Sequence, residues 1–179
     1  MVLAMVPAAA PTATDPKSFG DLEAEVLSVR ILDADGNEAS SFVPGDRVAI
    51  VMNVVCHREL EHLNVGLRIR NKEGVKMYSW GSLNQDMAIW AGLRDGPVFW
   101  DRRIAAGERL EVRFEFDCSL GVNLYEVQAC VSFEEDRFYR GQRILHWKDE
   151  AAFFHVTQKY QEYYFGGVAD LRMVANYLG

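Results

Sequence analysis

The sequence predicts an all-β fold, an antiparallel β-sandwich, on three observations. First, apolar and polar residues alternate with a period of two: Leu63, Val65, Leu67 and Ile69 against Asn64, Gly66, Arg68 and Arg70, and Leu110, Val112, Phe114 and Phe116 against Glu111, Arg113, Glu115 and Asp117. Such alternation fits antiparallel sheets with one wet face. Second, turn signals recur roughly every 8–12 residues, the spacing of short strands in a sandwich. Third, no long amphipathic helical pattern occurs before residue 160.

In chain order, Leu22 to Leu32 is the first long strand, ending at the turn Asp33-Ala34-Asp35-Gly36-Asn37. Phe42-Val43-Pro44-Gly45-Asp46 turns into the β-branched run Arg47 to Cys56. Leu63 to Arg70 leads through Asn71-Lys72-Glu73-Gly74 into Val75 to Ser82. Leu110 to Cys118 follows, and Leu124 to Phe133 with Phe138 to Trp147 flank Glu134-Glu135-Asp136 as a hairpin. Ala152 to Val156 is a further short strand. Gln85 to Val98, with Gly92, Gly96 and Pro97, reads as a long exposed loop carrying Trp90 and at most one helical turn.

At 179 residues the chain is long enough for one domain with its own core. Pro7, Pro11 and Pro16 among Ala and Thr mark residues 1–18 as a linker or an added tail, so the sandwich is expected over 19–179. The excess of 26 acidic over 19 basic residues, net −7, argues against nucleic acid as a partner of the whole surface. No run of about 18 apolar residues occurs. Cys56, Cys118 and Cys130 form no Cys-x-x-Cys pair and read as reduced thiols in or near the core. The four histidines show no metal-ligand spacing, so neither metal nor cofactor is expected. There is no P-loop, no dinucleotide fingerprint and no nucleophile elbow, and the carboxylates fall in turns and on wet faces. The chain therefore reads as non-catalytic.

The hairpin around Asn71–Gly74 carries the candidate site. Gly74 in last place suits a three-residue loop that sets Asn71 opposite Val75. Arg70 then pairs with Lys76, Arg68 with Tyr78, Gly66 with Trp80 and Asn64 with Ser82. Tyr78 and Trp80 would stand outward among Arg68, Asn64 and Ser82, with open space beside the indole at Gly66 and Arg70 as a second guanidinium for charged or hydroxyl groups. Exposed rings bordered by guanidinium and amide groups suit a saccharide: C–H groups pack on the ring while planar donors hold hydroxyls or an acidic group. A register shifted by one residue would turn Trp80 inward and remove the platform. Tyr139, Arg140, Gln142 and Arg143 form a second polar and aromatic group, while Trp90 and Trp100 fit structural roles better. The competing reading of the exposed rings is a protein-interaction or dimer surface.

Beyond Gly166-Gly167 an apolar strand from about residue 166, Leu171, Met173, Ala175 and Tyr177, is a candidate for exchange between two subunits, against a helix through Val168, Leu171, Ala175 and Leu178. Four features in order carry a resemblance. They are Phe19-Gly20 before Ala24-Glu25-Val26, Asp35-Gly36 before Phe42-Val43-Pro44-Gly45-Asp46, Arg70-Asn71-Lys72-Glu73-Gly74, and Phe153-Phe154-His155-Val156 with Tyr164-Phe165-Gly166-Gly167-Val168-Ala169-Asp170-Leu171. Over about residues 19–172 the chain resembles the C-terminal domain of the ATP-binding subunit of O-antigen polysaccharide ABC transporters (the Wzt type). That resemblance implies an immunoglobulin-like sandwich that binds the capped, non-reducing end of a lipid-linked O-antigen polysaccharide. It also implies a homodimer with exchanged C-terminal strands. Its further partners would be the nucleotide-binding domain and the membrane subunit of the transporter, at the cytoplasmic face of the bacterial inner membrane.

Overall fold

The long β-branched run Arg47–Cys56 is the centre of one layer. In the computed structural model, which describes residues 15–158 and 163–177, it forms β4 and pairs antiparallel with β2 (Ala24–Leu32) and β7 (Arg109–Asp117). This three-stranded sheet, ordered β2-β4-β7, faces a six-stranded sheet. The larger sheet contains β1 (Ser18–Phe19), β5 (Leu63–Asn71), β6 (Lys76–Gly81), β8 (Asn123–Glu134) and β9 (Gln142–Val156), ordered β1-β9-β8-β5-β6. The two-residue β3 (Ser41–Phe42) pairs with β9 in parallel; the other named pairs are antiparallel. The architecture is the expected β-sandwich.

Alternation decides which side chains enter the core. Val48, Ile50, Met52 and Val54 of β4 meet Leu63, Val65, Leu67 and Ile69 of β5, Tyr125, Val127, Ala129 and Val131 of β8, and Leu145 and Phe154 of β9. Burying each of the larger groups stabilises the fold by about 1.5–3 kcal/mol. His146 joins the layers directly: its Nδ1 accepts the Val26 N–H at 2.8 Å, so the ring is neutral there, and burial holds its pKa below the ordinary histidine value. The three cysteines are free; Cys56 and Cys118 are buried and Cys130 half-buried.

The structure departs from the expected elements in three places. Ser82–Trp90 is a nine-residue helix, α1, where a loop with at most one helical turn was expected. Asn84 Oδ1 accepts the Gly81 N–H at 2.9 Å, a one-sided cap that alternation does not reveal. The strands expected over Phe138–Trp147 and Ala152–Val156 are one strand, β9, which absorbs Asp149 to Ala151 through a register shift against Val127 and Ala129.

The third departure reshapes the site. The loop is as predicted: the Asn71 N–H donates to the Val75 carbonyl at 3.0 Å, the Val75 N–H returns to Asn71 Oδ1 at 2.8 Å, and Gly74 adopts φ 81°. Arg70 pairs with Lys76 as expected. A bulge then shifts the register between Ile69 and Arg70, so Ile69 pairs with Tyr78, Arg68 with Ser79, Leu67 with Trp80 and Gly66 with Gly81. Trp80 thereby joins the inward set. It packs on the core edge-on to Phe114, centroids 6.0 Å apart at 89°. The outward Trp80 platform is therefore corrected.

The expected linker at 1–18 lies outside the described residues as far as residue 14, and the proposed boundary at 19 falls inside β1. The expected C-terminal strand forms no named element here; Ala169 bridges Leu120, and Leu171, Met173, Val174 and Tyr177 stand exposed. The rival helix through Val168 forms no helix over the described residues, and its Leu178 lies outside them.

Candidate functional site

The outer face of the six-stranded sheet gathers most of the predicted polar residues and supplies a different tryptophan. β5 presents Asn64, Gly66, Arg68 and Arg70 outward, because Leu63, Val65, Leu67 and Ile69 point into the core. Cross-strand pairing sets Ser132, Cys130, Gln128 and Glu126 of β8 beside them, and Trp147 of β9 beside Cys130. Phe19 of β1 pairs with Trp147 in turn.

These side chains form a strip across the sheet. The Arg68 guanidinium lies 4.7 Å from the Trp147 ring centroid, a cation–π arrangement. Phe19, 57% exposed, stacks on Trp147 with centroids 6.1 Å apart and planes 17° from parallel. The indole is fixed from below: Trp147 Nε1 donates to Asp149 Oδ1 at 2.8 Å, and Gln128 Nε2 donates to the same oxygen at 2.5 Å. Phe153, also exposed, extends the aromatic surface beside Glu126. Gly66 pairs with Gly81, so bare backbone separates Arg68 from Asn64 along the sheet.

At the other end a polar network surrounds Glu134, which is fully buried. Its Oε1 accepts from Asn64 Nδ2 at 3.0 Å, Ser132 Oγ at 2.7 Å and Gln142 Nε2 at 2.6 Å; its Oε2 has no partner. Asn64 Oδ1 accepts the Leu83 N–H at 3.2 Å, which ties the start of α1 to the network. Tyr139 adopts φ 58° and donates its hydroxyl to Asn84 Oδ1 at 2.8 Å. Burial and the nearby Glu134 charge push this phenol up to about 12. The Cys130 thiol is likewise pushed up to about 12, by burial first and by Glu134 second. A thiol so held is a poor nucleophile at neutral pH.

Of the predicted site residues, Asn64, Arg68 and Arg70 share this face, and Gln142 and Tyr139 border it through the Glu134 and Asn84 contacts. Two other residues fall away from Arg68. Trp80 is in the core, and Tyr78, 55% exposed, sits on the edge strand opposite Ile69. Arg140 points its charge into its own hairpin, with Nε 2.8 Å from Asp136 Oδ2 and its guanidinium over Phe138. Arg143 is held by Asp21 and Glu23. Trp100 is buried, stacked with His62 at 4.3 Å, and Trp90 lies under Arg137. Trp147, Phe19, Gln128, Asp149 and Glu134 are the residues that sequence reasoning missed. Pairing Cys130 with Trp147 across the β8–β9 hairpin would have found the indole.

Among the described residues no group of three His, Cys, Asp or Glu could hold a metal ion. No helix among them is long and apolar enough to cross a membrane.

A family profile described as the Wzt C-terminal domain matches residues 15–171, most of the chain. The chain belongs to the Wzt C-terminal domain family. No match is found among curated proteins. Among solved structures, one described as the crystal structure of the C-terminal domain of wzt superposes with a TM-score of 0.74 at 17% identity. It covers 92% of this chain and 90% of that one. Wzt C-terminal domains are parts of a transporter subunit and not a catalytic family, which makes this chain an ABC-transporter-associated domain.

Proposed function

We propose that the outer face of the six-stranded sheet binds the capped, non-reducing end of a lipid-linked O-antigen polysaccharide, without chemistry, and so selects it for export. The observation that carries this reading is the strip Phe19–Trp147–Arg68. It offers an exposed ring beside an indole held in one orientation, with polar groups at both ends. Saccharide C–H faces pack on such rings, and the neighbouring guanidinium and amide groups select hydroxyl and acidic substituents. Arg68, Arg70, Trp147 and Phe19 form the contact surface, with Gln142 and Tyr139 at its border; Asn64, buried beneath it, braces the Glu134 network. The partners are the polysaccharide, the nucleotide-binding domain and the membrane subunit of the transporter, at the cytoplasmic face of the inner membrane.

Calorimetric titration with O-polysaccharide purified from the bacterium that encodes the protein tests this reading. Truncating a central aromatic anchor costs about 1–3 kcal/mol, so Phe19→Ala and Trp147→Ala are each expected to weaken binding by about five- to 150-fold. Unchanged affinity in both variants, with circular dichroism intact, removes the strip from the site.

A second reading rests on the tail. Leu171, Met173, Val174 and Tyr177 are exposed apolar residues in succession, which favours a homodimer that buries them by exchanging C-terminal strands. Sedimentation should give a dimer for the full chain and a monomer after truncation at Gly166. A dimer that takes up no polysaccharide would make this a dimerisation domain alone.

A further inference from the structure

We infer that the saccharide recognised on this face is acidic, with a carboxylate or phosphate seated on Arg68 and Arg70. This deepens, and rests on, the glycan-binding reading above. Nine of the arginines make ion pairs with Asp or Glu: Arg30, Arg47, Arg58, Arg102, Arg103, Arg113, Arg137, Arg140 and Arg143. Among the described residues Arg94, Arg109 and Arg172 make none, and they stand exposed, where water solvates the charge. Arg68 and Arg70 are half-buried, and among the described residues neither side chain makes an ion pair or a hydrogen bond. So in a chain with seven more acidic than basic residues, half-buried Arg30 has its anion in Glu111, while half-buried Arg68 and Arg70 have none among the described residues.

The nearby carboxylates are otherwise engaged. Asp149 Oδ1 holds Trp147 and Gln128, Glu134 Oε1 holds three donors, and Glu126, opposite Arg70 in register, accepts the Glu150 N–H at 3.1 Å. Lys76, Arg70's partner on the other side, adds a like charge. The Nε atoms of both arginines are buried without partners. So is Oε1 of Gln128, a side chain only 2% exposed. Arg68 and Gln128 pair in register, and no described residue supplies the missing anion. A partly desolvated, unpaired charge is costly, and a fold keeps one where a ligand completes the pair. Arginine binds carboxylate and phosphate through paired N–H donors, and two residues apart on one strand the two guanidiniums stand on the same face.

The test uses the full chain and O-polysaccharide purified from the encoding bacterium, in three forms. These are native, carbodiimide-reduced so that carboxylates become alcohols, and dephosphorylated with aqueous hydrogen fluoride. One treatment should weaken binding about tenfold or more, and which one identifies the acid. Arg68→Gln and Arg70→Gln should each weaken native binding by a similar factor, make it less sensitive to salt, and weaken binding of the neutralised polysaccharide by a clearly smaller factor. Thermal melts check that both variants fold. Native polysaccharide that binds equally well after both treatments, or that binds and contains no acidic residue, overturns the inference while leaving glycan binding intact. Native polysaccharide that does not bind at all overturns the glycan reading and this inference with it.

Discussion

The indole of Trp80 fills the layer between the sheets, edge-on to Phe114 and opposite Leu67. Trp80→Ala is therefore expected to cost stability, about 2–4 kcal/mol by the cavity it opens, as a shift in urea midpoint. Polysaccharide affinity of the folded fraction should stay within about twofold, since the ring is not on the binding face. A variant as stable as the parent would contradict its place in the core. Trp147 reverses the case: its indole is braced by Asp149 on the outer face. One bulge at Met77 turns Trp80 inward. Period-two reading propagates an error of one residue into every later pair, and nothing in Lys76-Met77-Tyr78 marks the extra residue. The arginines and Asn64 were legible because they precede the bulge on β5, whose own alternation is unbroken.

At the scale of elements, α1 and the chain after it are held by one carboxylate. Asp86, buried in the helix, accepts the Phe99 N–H at 2.9 Å and the Trp100 N–H at 2.8 Å. Burial raises its pKa, and the two backbone donors oppose that shift. Asp86→Ala leaves two donors without their acceptor, and a loss of about 1–3 kcal/mol is expected. Hydrogen exchange should show the Phe99 and Trp100 amides deprotected ahead of the β4 amides. Equal protection in parent and variant would mean that the segment is held by the packing of Trp100 against His62 and Trp90 instead. This helix was not legible, because its apolar residues follow no single stripe and its cap is a glycine and an asparagine, both equally at home in loops. The strands were legible where one face is wet. Arg47–Cys56 was found to the residue because a β-branched run of that length between turns has few alternatives.

The two sheets are joined by apolar packing and, at one point, by a titratable hydrogen bond. His146 lies on β9 and accepts from Val26 on β2, so the bond crosses the whole sandwich. Its pKa is lowered by burial first; Glu25 pulls it upward and Lys148 downward by smaller amounts. A histidine whose native pKa lies below its unfolded value binds more protons unfolded than folded in the interval between the two. Stability contributed by the neutral ring is therefore complete above about pH 6.5 and is lost as pH falls through the lowered native value. Protonation also turns Nδ1 into a donor facing the Val26 N–H, which ends the link between the layers. Carboxylates held low by backbone and arginine partners, such as Glu108, Glu115 and Asp136, lose their contribution only at more acidic pH, so the two windows separate. The urea midpoint of the parent should fall between about pH 7 and pH 5, with a slope of at most about 1.4 kcal/mol per pH unit from this one group. His146→Gln keeps an oxygen acceptor for Val26 but no titration; it should be less stable at pH 7.5 and its midpoint flatter across the same interval. Parallel curves for parent and variant would show that the acid response of the sandwich arises elsewhere than at the bond between its sheets.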